Sequence, residues 1–526
     1  MFRIRHGLTE QEHRLSDKIN IDSVRVLDKQ IKEQEEAVRK LKRVRNSLLN
    51  IHRLPPEVLG EIFYWNVTPK VDFDGLQKES HNFLRVCHHW FEVALRTPEI
   101  WSFWGDTLKD WERWRHYSGT APLDLIYDSD NDCDRIDGAL LDALKVRANQ
   151  NTIRRIHLGS QDPKFLGKLI SSLTPDRGGT PSNQIESFIL RYQNNPSVDL
   201  SDFLARCHFP KLRRLEIASC KVSWNHLMSR TGALTNIILV GISPAPTISQ
   251  LLHTFASNVA LRKIGLCHLT TREEDNGAQP FRVALHHLQY LELRGHLHPV
   301  VKLLDRLDYP VTTTRLCIAL LGFMPPDAPQ TIGPYLRNHL QRRGWSQNGL
   351  GLTLSCKNIL TLGVGDIRGI DRGAVKMDEV VTFTINPDWV PSRQLRTAAL
   401  ELIKHLPSEN VTYLRVHNNY VAIGDVSTRL PNLKTLYLTP KWTPAFFSKL
   451  DRGGNEEMFP SLQNLIFRKR VLGNDCWGPL VTFLASRVSS GKRLHTLKIF
   501  CRDKIRPEVE KSIKGMVEVF EVVLKR

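Results

Sequence analysis

The sequence is poor in the features that announce chemistry or a membrane. Cysteine is sparse, nine residues in 526, at positions 87, 133, 207, 220, 267, 317, 356, 476 and 501 with no C-x-x-C pair. That spacing excludes a disulfide framework and a cysteine-rich zinc site. It predicts reduced thiols in apolar surroundings such as Leu316-Cys317-Ile318. No apolar run reaches the roughly 18 residues of a membrane-spanning helix. The opening Met1-Phe2-Arg3-Ile4-Arg5-His6 lacks the apolar stretch of a signal peptide, so the expected location is cytoplasm or nucleus.

Catalytic and ligand-binding constellations are equally scarce. Cys87 precedes His88-His89, but neighbours on a helix point to different faces. Asp128-Ser129-Asp130-Asn131-Asp132-Cys133-Asp134 imitates the start of a calcium loop. It has Cys133 where the turn needs glycine and Ala139 where a bidentate glutamate is needed. Gly363-Val364-Gly365 lacks the third glycine of a nucleotide-binding turn. His286-His287 and the His296/His298 pair have no carboxylate or cysteine to complete a ligand set. No catalytic residue, cofactor or metal is expected, and the chain does not read as an enzyme.

Acidic residues are also short, 55 against 73 Lys and Arg, a formal charge of +18. A nucleic-acid binder would concentrate its cations with interleaved aromatics on one element. Here they are spread along the chain, and the densest run, Arg39–Arg45, lies within a heptad pattern. The expected partners are therefore proteins of acidic or phosphorylated character, with neither nucleic acid nor membrane.

Organisation is what the sequence does contain. Residues 1–21 read as a flexible N-terminus. Over 22–50 a 3.5-residue period places Val24, Leu27, Ile31, Gln34, Val38, Leu41, Arg45 and Leu48 at core positions. This predicts an amphipathic helix, capped by Asp22 or Ser23, that either docks on its own chain or self-associates weakly as a coiled coil without forming an obligate oligomer. Leu54-Pro55-Pro56 ends it.

Residues 51–118 read as helical. Glu57–Val67 and His81–Leu95 each carry an apolar face, and Thr97-Pro98-Glu99 starts a third short helix. Trp101, Trp104, Trp111 and Trp114 follow at helical spacings and read as core.

From 119 to 526 the pattern apolar-x-x-apolar-x-apolar recurs. Copies include Ile153/Ile156/Leu158, Ile185/Phe188/Leu190, Leu212/Leu215/Ile217, Leu234/Ile237/Leu239, Leu261/Ile264/Leu266 and Leu288/Leu291/Leu293. It continues at Val380/Phe383/Ile385, Val411/Leu414/Val416, Leu433/Leu436/Leu438, Leu462/Leu465/Phe467 and Leu494/Leu497/Ile499, with less regular copies near Arg315–Ala319 and Gly351–Leu354. Cys220 and Asn419 stand where leucine-rich repeats place Asn or Cys, and Phe209-Pro210, Leu430-Pro431 and Phe459-Pro460 precede strands at one register. Each unit predicts a short strand with a return helix or loop. Such units bury their apolar face only by stacking, as in a strand-lined solenoid with a broad interaction surface.

Three stretches now combine: Leu54-Pro55-Pro56-Glu57-Val58-Leu59-Gly60-Glu61-Ile62-Phe63, Leu84-Arg85-Val86-Cys87-His88-His89-Trp90-Phe91-Glu92-Val93-Ala94, and Thr97-Pro98-Glu99-Ile100-Trp101. Their order and spacing resemble an F-box-like domain. The whole chain is similar to fungal F-box proteins with a helical N-terminal segment and a degenerate leucine-rich array. The stretch 66–80 is longer than in compact F-boxes. The resemblance implies a mixed α/β chain, with an N-terminal helix, a small three-helix bundle and an irregular repeat solenoid. It also implies a Skp-family adaptor as partner, and through it a cullin. Adaptor-facing residues would be Leu54, Pro55, Glu57, Val58, Leu59, Ile62, Phe63, Val86, Cys87 and Trp90. The expected role is substrate recognition in an SCF-type ubiquitin ligase. An interaction scaffold outside any ligase is the alternative, and a basic nucleic-acid-binding protein a lesser one.

Overall fold

A computed structural model of the chain describes residues 21–67, 71–72, 75–76, 81–104, 111–128, 138–176, 184–191, 198–271, 281–322, 325, 327–343, 350–356, 360–371, 374–386, 392–417, 426–439, 459–468, 477–501 and 505–524. It is mixed α/β, with a large, mostly parallel sheet. The chain divides into two compact units, Met1–Asp128 and Ser129–Arg526. The N-terminal 1–20, the acidic segment 129–137 and Asn419 lie outside the described residues.

The first unit opens with α1 (Ile21–Ser47), where the heptad period predicted a helix. Its apolar seam faces outward: Val24, Leu27, Ile31, Val38, Leu41 and Leu48 are 42% to 71% exposed. After a 3-10 turn at Asn50–Arg53 comes α2 (Pro56–Val67), which starts on proline, a residue whose missing N–H costs nothing at a helix N-terminus. The expected helix His81–Leu95 is not continuous. It is a 3-10 turn at His81–Arg85, then α3 (His88–Leu95), with Cys87 fully extended between them (φ −162°, ψ 168°). In a straight helix Phe83 and Trp90 would lie about 10 Å apart along the axis. The break lets both meet Phe63, with ring centroids 4.6 and 5.1 Å away.

The tryptophan run departs from helical spacing too. Trp101 closes a 3-10 turn (Pro98–Trp101), while Phe103–Trp104 form strand β1, parallel to β2 (Leu123–Asp128). α4 (Trp111–Ser118) supplies Trp114 and Tyr117, which pack on the Trp101 ring at 5.5 and 5.0 Å. Trp101 and Trp104 are core residues, only 2% and 1% exposed. Because β2 pairs with β1, the first unit extends past residue 118 to Asp128.

In the second unit the repeated pattern becomes a ladder. Strands β3 (Ile153–Gly159), β4 (Ser187–Arg191), β5 (Arg214–Ala218), β6 (Asn236–Val240), β7 (Lys263–Leu269), β8 (Tyr290–Gly295) and β9 (Arg315–Leu321) pair in sequence, each parallel to the next. Corresponding apolar residues are Cα partners: Phe188 with Leu215, Leu215 with Ile237, Ile237 with Ile264, and Ile264 with Leu291. The leading apolar residue of each copy closes a turn on the residue three before it. Leu212, Leu433 and Leu462 donate N–H to the carbonyls of Phe209, Leu430 and Phe459, and Leu261 and Leu288 repeat the bond to Asn258 and Leu285. All five are buried.

The middle of this sheet inverts. β10 (Leu350–Cys356), β11 (Leu360–Asp371) and β12 (Ala374–Asn386) form an antiparallel meander, but β12 pairs with β9 and β10 with β13 (Val411–His417). In space the order is β9–β12–β11–β10–β13, and both outer contacts are parallel. At β9–β12 Ile318 opposes Phe383 and Leu316 opposes Val381, a two-residue shift from the Val380/Phe383/Ile385 frame. A shift of two keeps the same face inward. The parallel ladder then resumes through β14 (Thr435–Leu438), β15 (Asn464–Arg468), β16 (Leu494–Cys501) and β17 (Val517–Leu524). Polar side chains tie successive turns. Buried Asn258 accepts from Leu234 N–H at 2.9 Å, and Arg487 donates to the Phe459, Leu462 and Lys492 carbonyls.

Candidate functional site

The motif at 54–101 yields two faces on one helix. Leu59, Phe63 and Val67 recur at i, i+4, i+8 and form the buried side of α2, packed with Val93, Ala94 and Ile100. Gly60 lies among them, and a Cβ there would meet Thr97 Oγ1 at 2.8 Å, so α2 approaches the Thr97 turn as closely as only glycine allows. Two hydrogen bonds hold that turn: Thr97 Oγ1 donates to Val93 O at 2.8 Å, and Trp101 Nε1 to Ala94 O at 2.7 Å. The Thr-Pro-x-x-Trp end of the motif is therefore structural.

The other face of α2 is apolar and open. Val58 is 44% exposed, Ile62 46% and Trp65 67%, with exposed Pro55 and Glu57 at the same end of the helix. Val86, turned outward by the break before Cys87, is 54% exposed. Of the ten residues expected at a surface, Leu54, Cys87 and Trp90 are half-buried, and Leu59 and Phe63 are core. Trp65 was missed. Extending the Val58–Ile62 spacing by three residues reaches it.

Cys87 has an imidazole neighbour, but not an adjacent one. Its Sγ lies 3.6 Å from His52 Nε2, and the His52 ring packs on His89 at 5.2 Å and Trp90 at 6.5 Å. Burial and His89 both hold the His52 pKa below the usual imidazole range. His88, by contrast, pairs with Glu92 at 3.1 Å on the exposed side.

In the second unit the face of β3–β9 opposite the apolar ladder carries the charge. Its central row is His157, Ile189, Glu216, Ile238, Gly265, Glu292 and Cys317, successive Cα partners across the strands. Glu216 accepts from Arg191 Nε at 2.7 Å and Arg214 Nη2 at 3.3 Å, and Glu292 accepts from Tyr290 OH at 3.2 Å and pairs with Arg294. Among the described residues the thiols on this part of the chain form no disulfide. Cys207 and Cys220 are buried, Cys267 and Cys317 half-buried, and burial pushes Cys220 up to about 12 and Cys267 up to about 11.

His157 is 7% exposed and its Nε2 lies 2.8 Å from Ser187 Oγ. Burial, then Arg214, Arg155 and Arg191, push its pKa from 6.5 down to about 3. The unfolded chain thus takes up a proton below pH 6.5 that the fold refuses, so stability is full above 6.5 and is lost as pH falls toward 3. Urea unfolding at pH 7 and 4.5 is expected to differ by on the order of 2 kcal/mol more in the parent than in His157→Gln. Equal pH dependence in the two proteins would refute this.

The remaining sequence features hold no ligand geometry. Gly363-Val364-Gly365 lies inside β11, antiparallel to both neighbours, not in a strand–helix turn. His286, His287, His296 and His298 are exposed. Among the described residues no group of three His, Cys, Asp or Glu is placed to hold a metal, and no helix is long and apolar enough to cross a membrane. No family model matches the chain, and no curated protein matches it.

Proposed function

We propose that the chain is the substrate-recognition subunit of an SCF-type cullin-RING ubiquitin ligase. An F-box-like segment at 54–101 docks a Skp-family adaptor, and a leucine-rich-repeat-like solenoid from 119 onward binds the target protein. The observation that carries the reading is the open apolar stripe of α2, Val58–Ile62–Trp65 with Val86 beside the break. A helix that buries one face and leaves three large apolar side chains at i, i+4, i+7 on the other is shaped for a partner. The ladder of parallel strands supports the second half, because it offers a broad regular surface made of side chains between the buried apolar positions. The chain would add proximity, holding target lysines near a conjugating enzyme carried by other subunits. Co-purification of the full chain with a Skp-family adaptor tests the reading. Failure to bind under conditions where established F-box proteins do would overturn it.

The seam of α1 adds a weak self-association to the same proposal. Residues 21–36 carry five acidic and three basic side chains, residues 37–47 five basic and none acidic. Antiparallel pairing with a second copy sets Ile31 against Leu41 and brings Arg45 beside Asp28. Parallel pairing in register would place two Arg45 side chains in one layer, a like-charge contact that opposes assembly. Mixing Ile31→Cys and Leu41→Cys chains with different tags is expected to give an oxidised heterodimer joining the tags. A 31–31 crosslink, or a chain that stays monomeric at high micromolar concentration, rejects the arrangement.

A further inference from the structure

Folding gathers cations that are scattered in the sequence. On the face of β3–β9 opposite the apolar ladder, the row before the central one runs Arg155, Ser187, Arg214, Asn236, Lys263, Tyr290, Arg315 in direct Cα register. Every second strand contributes a cation, and a small or neutral side chain separates each pair. With Arg191 and Arg294 on the row beyond, six cations share this face with two carboxylates, Glu216 and Glu292. The excess is felt locally: burial and the Arg214 charge hold Lys263 below the ordinary lysine range, although Glu292 and Glu216 act the other way.

Glu216 orients two of these guanidinium groups without saturating them. Glu216, with 8% of its side chain exposed, takes Arg191 Nε and Arg214 Nη2. Arg191 Nη2, Arg214 Nε and His157 Nδ1 are buried with no hydrogen-bond partner among the described residues. Buried polar nitrogens are almost always satisfied, so the unpartnered nitrogens of Arg191 and Arg214 are donors that Glu216 alone does not fill. Gly265 keeps the middle of the central row low, between Ile238 and Glu292.

We infer that this face binds an extended acidic or phosphorylated segment of a protein, laid across the strands, with an anionic side chain at every third residue. Neighbouring strands are about 4.8 Å apart, so cations on alternate strands repeat every 10 Å or so. A polyproline II segment advances about 3.1 Å per residue with three residues per turn, and thus presents positions i, i+3 and i+6 on one side about 9 Å apart. A β-extended segment sends i and i+3 to opposite sides and fits the row less well. The inference gives the target-binding half of the proposed receptor a ligand class and rests on that reading for its biological meaning. Binding itself is measured without the adaptor, so failure of one does not imply failure of the other.

The test uses the full chain at physiological salt and three fluorescent probes. One is a proline-rich peptide with phosphoserine at every third residue, the second has the same composition with phosphoserines at every second residue, and the third is a single-stranded oligonucleotide. Saturable binding of the first, at least about tenfold tighter than the second and the oligonucleotide, is the expected result. Lys263→Gln with Arg315→Gln, both at incompletely buried positions, should weaken it about tenfold with unchanged unfolding behaviour. Arg214→Gln is the second variant, should the first pair lose stability. No saturable peptide binding, equal affinity for the two spacings, or preference for the oligonucleotide would overturn the inference.

Discussion

Replacing Val58 and Ile62 together by glutamate is expected to cut capture of a Skp-family adaptor by at least roughly 100-fold, with the unfolding midpoint of the chain unchanged. The two residues are 44% and 46% exposed on α2, one turn apart and away from the buried Leu59–Phe63–Val67 side. Surface substitutions of this kind cost about 0.5 kcal/mol or less of fold stability. At the centre of a desolvated interface, each truncated or charged anchor costs about 2–4 kcal/mol of binding. Leu59→Ala is the contrasting variant. Leu59 is fully buried, so it should lose about 2–5 kcal/mol of stability and lose binding only through unfolding. Trp65→Ala reads how far the stripe extends, because Trp65 continues the spacing one turn further and is 67% exposed. Undiminished adaptor capture by the folded Val58/Ile62 variant would remove this face from the proposal.

The reach of the sequence can be judged from particular positions. The strands β3–β9 and β13–β16 were legible because apolar residues recur at alternate strand positions, and that recurrence fixes which residues share one face whatever the loops between them do. The β10–β11–β12 meander was not legible in that way. Leu362 and Val364 alternate like any other strand, and periodicity says nothing about whether a strand pairs with its predecessor or skips over it. The break at Cys87 was hidden because Phe83, Val86, Trp90 and Val93 also fit a helical face. What decides it is the Phe63 ring, on another element. His52 meeting Cys87 across 35 residues is likewise a product of packing. The cation row lies between these cases. Arg155, Arg214, Lys263 and Arg315 each stand immediately before an inward apolar residue, Ile156, Leu215, Ile264 and Leu316. Read linearly they are diffuse charge; aligned by strand register they form one line.

Leu291→Ala is expected to lower the stability of the second unit by about 2–5 kcal/mol and to do so unevenly. Leu291 is fully buried, and its Cα partners are Ile264 on β7 and Leu316 on β9. Truncation removes contacts on both sides at once, and neither neighbour can close the gap without leaving a register that extends across the sheet. From β3 to β9 each strand pairs with the next in the chain, so the loss should fall with distance along that run. Hydrogen exchange in the variant should accelerate first at the β7, β8 and β9 amides, while β14–β16 keep most of their protection. The polar ties between turns act in the same direction. Thr314 Oγ1 donates to Leu288 O at 2.7 Å, which joins the start of β9 to the turn before β8. A break at Leu291 therefore loosens the β8–β9 step before more distant ones. Uniform acceleration from β3 to β17 would mean that the second unit melts as one cooperative body, and that its strands share more than nearest-neighbour contacts.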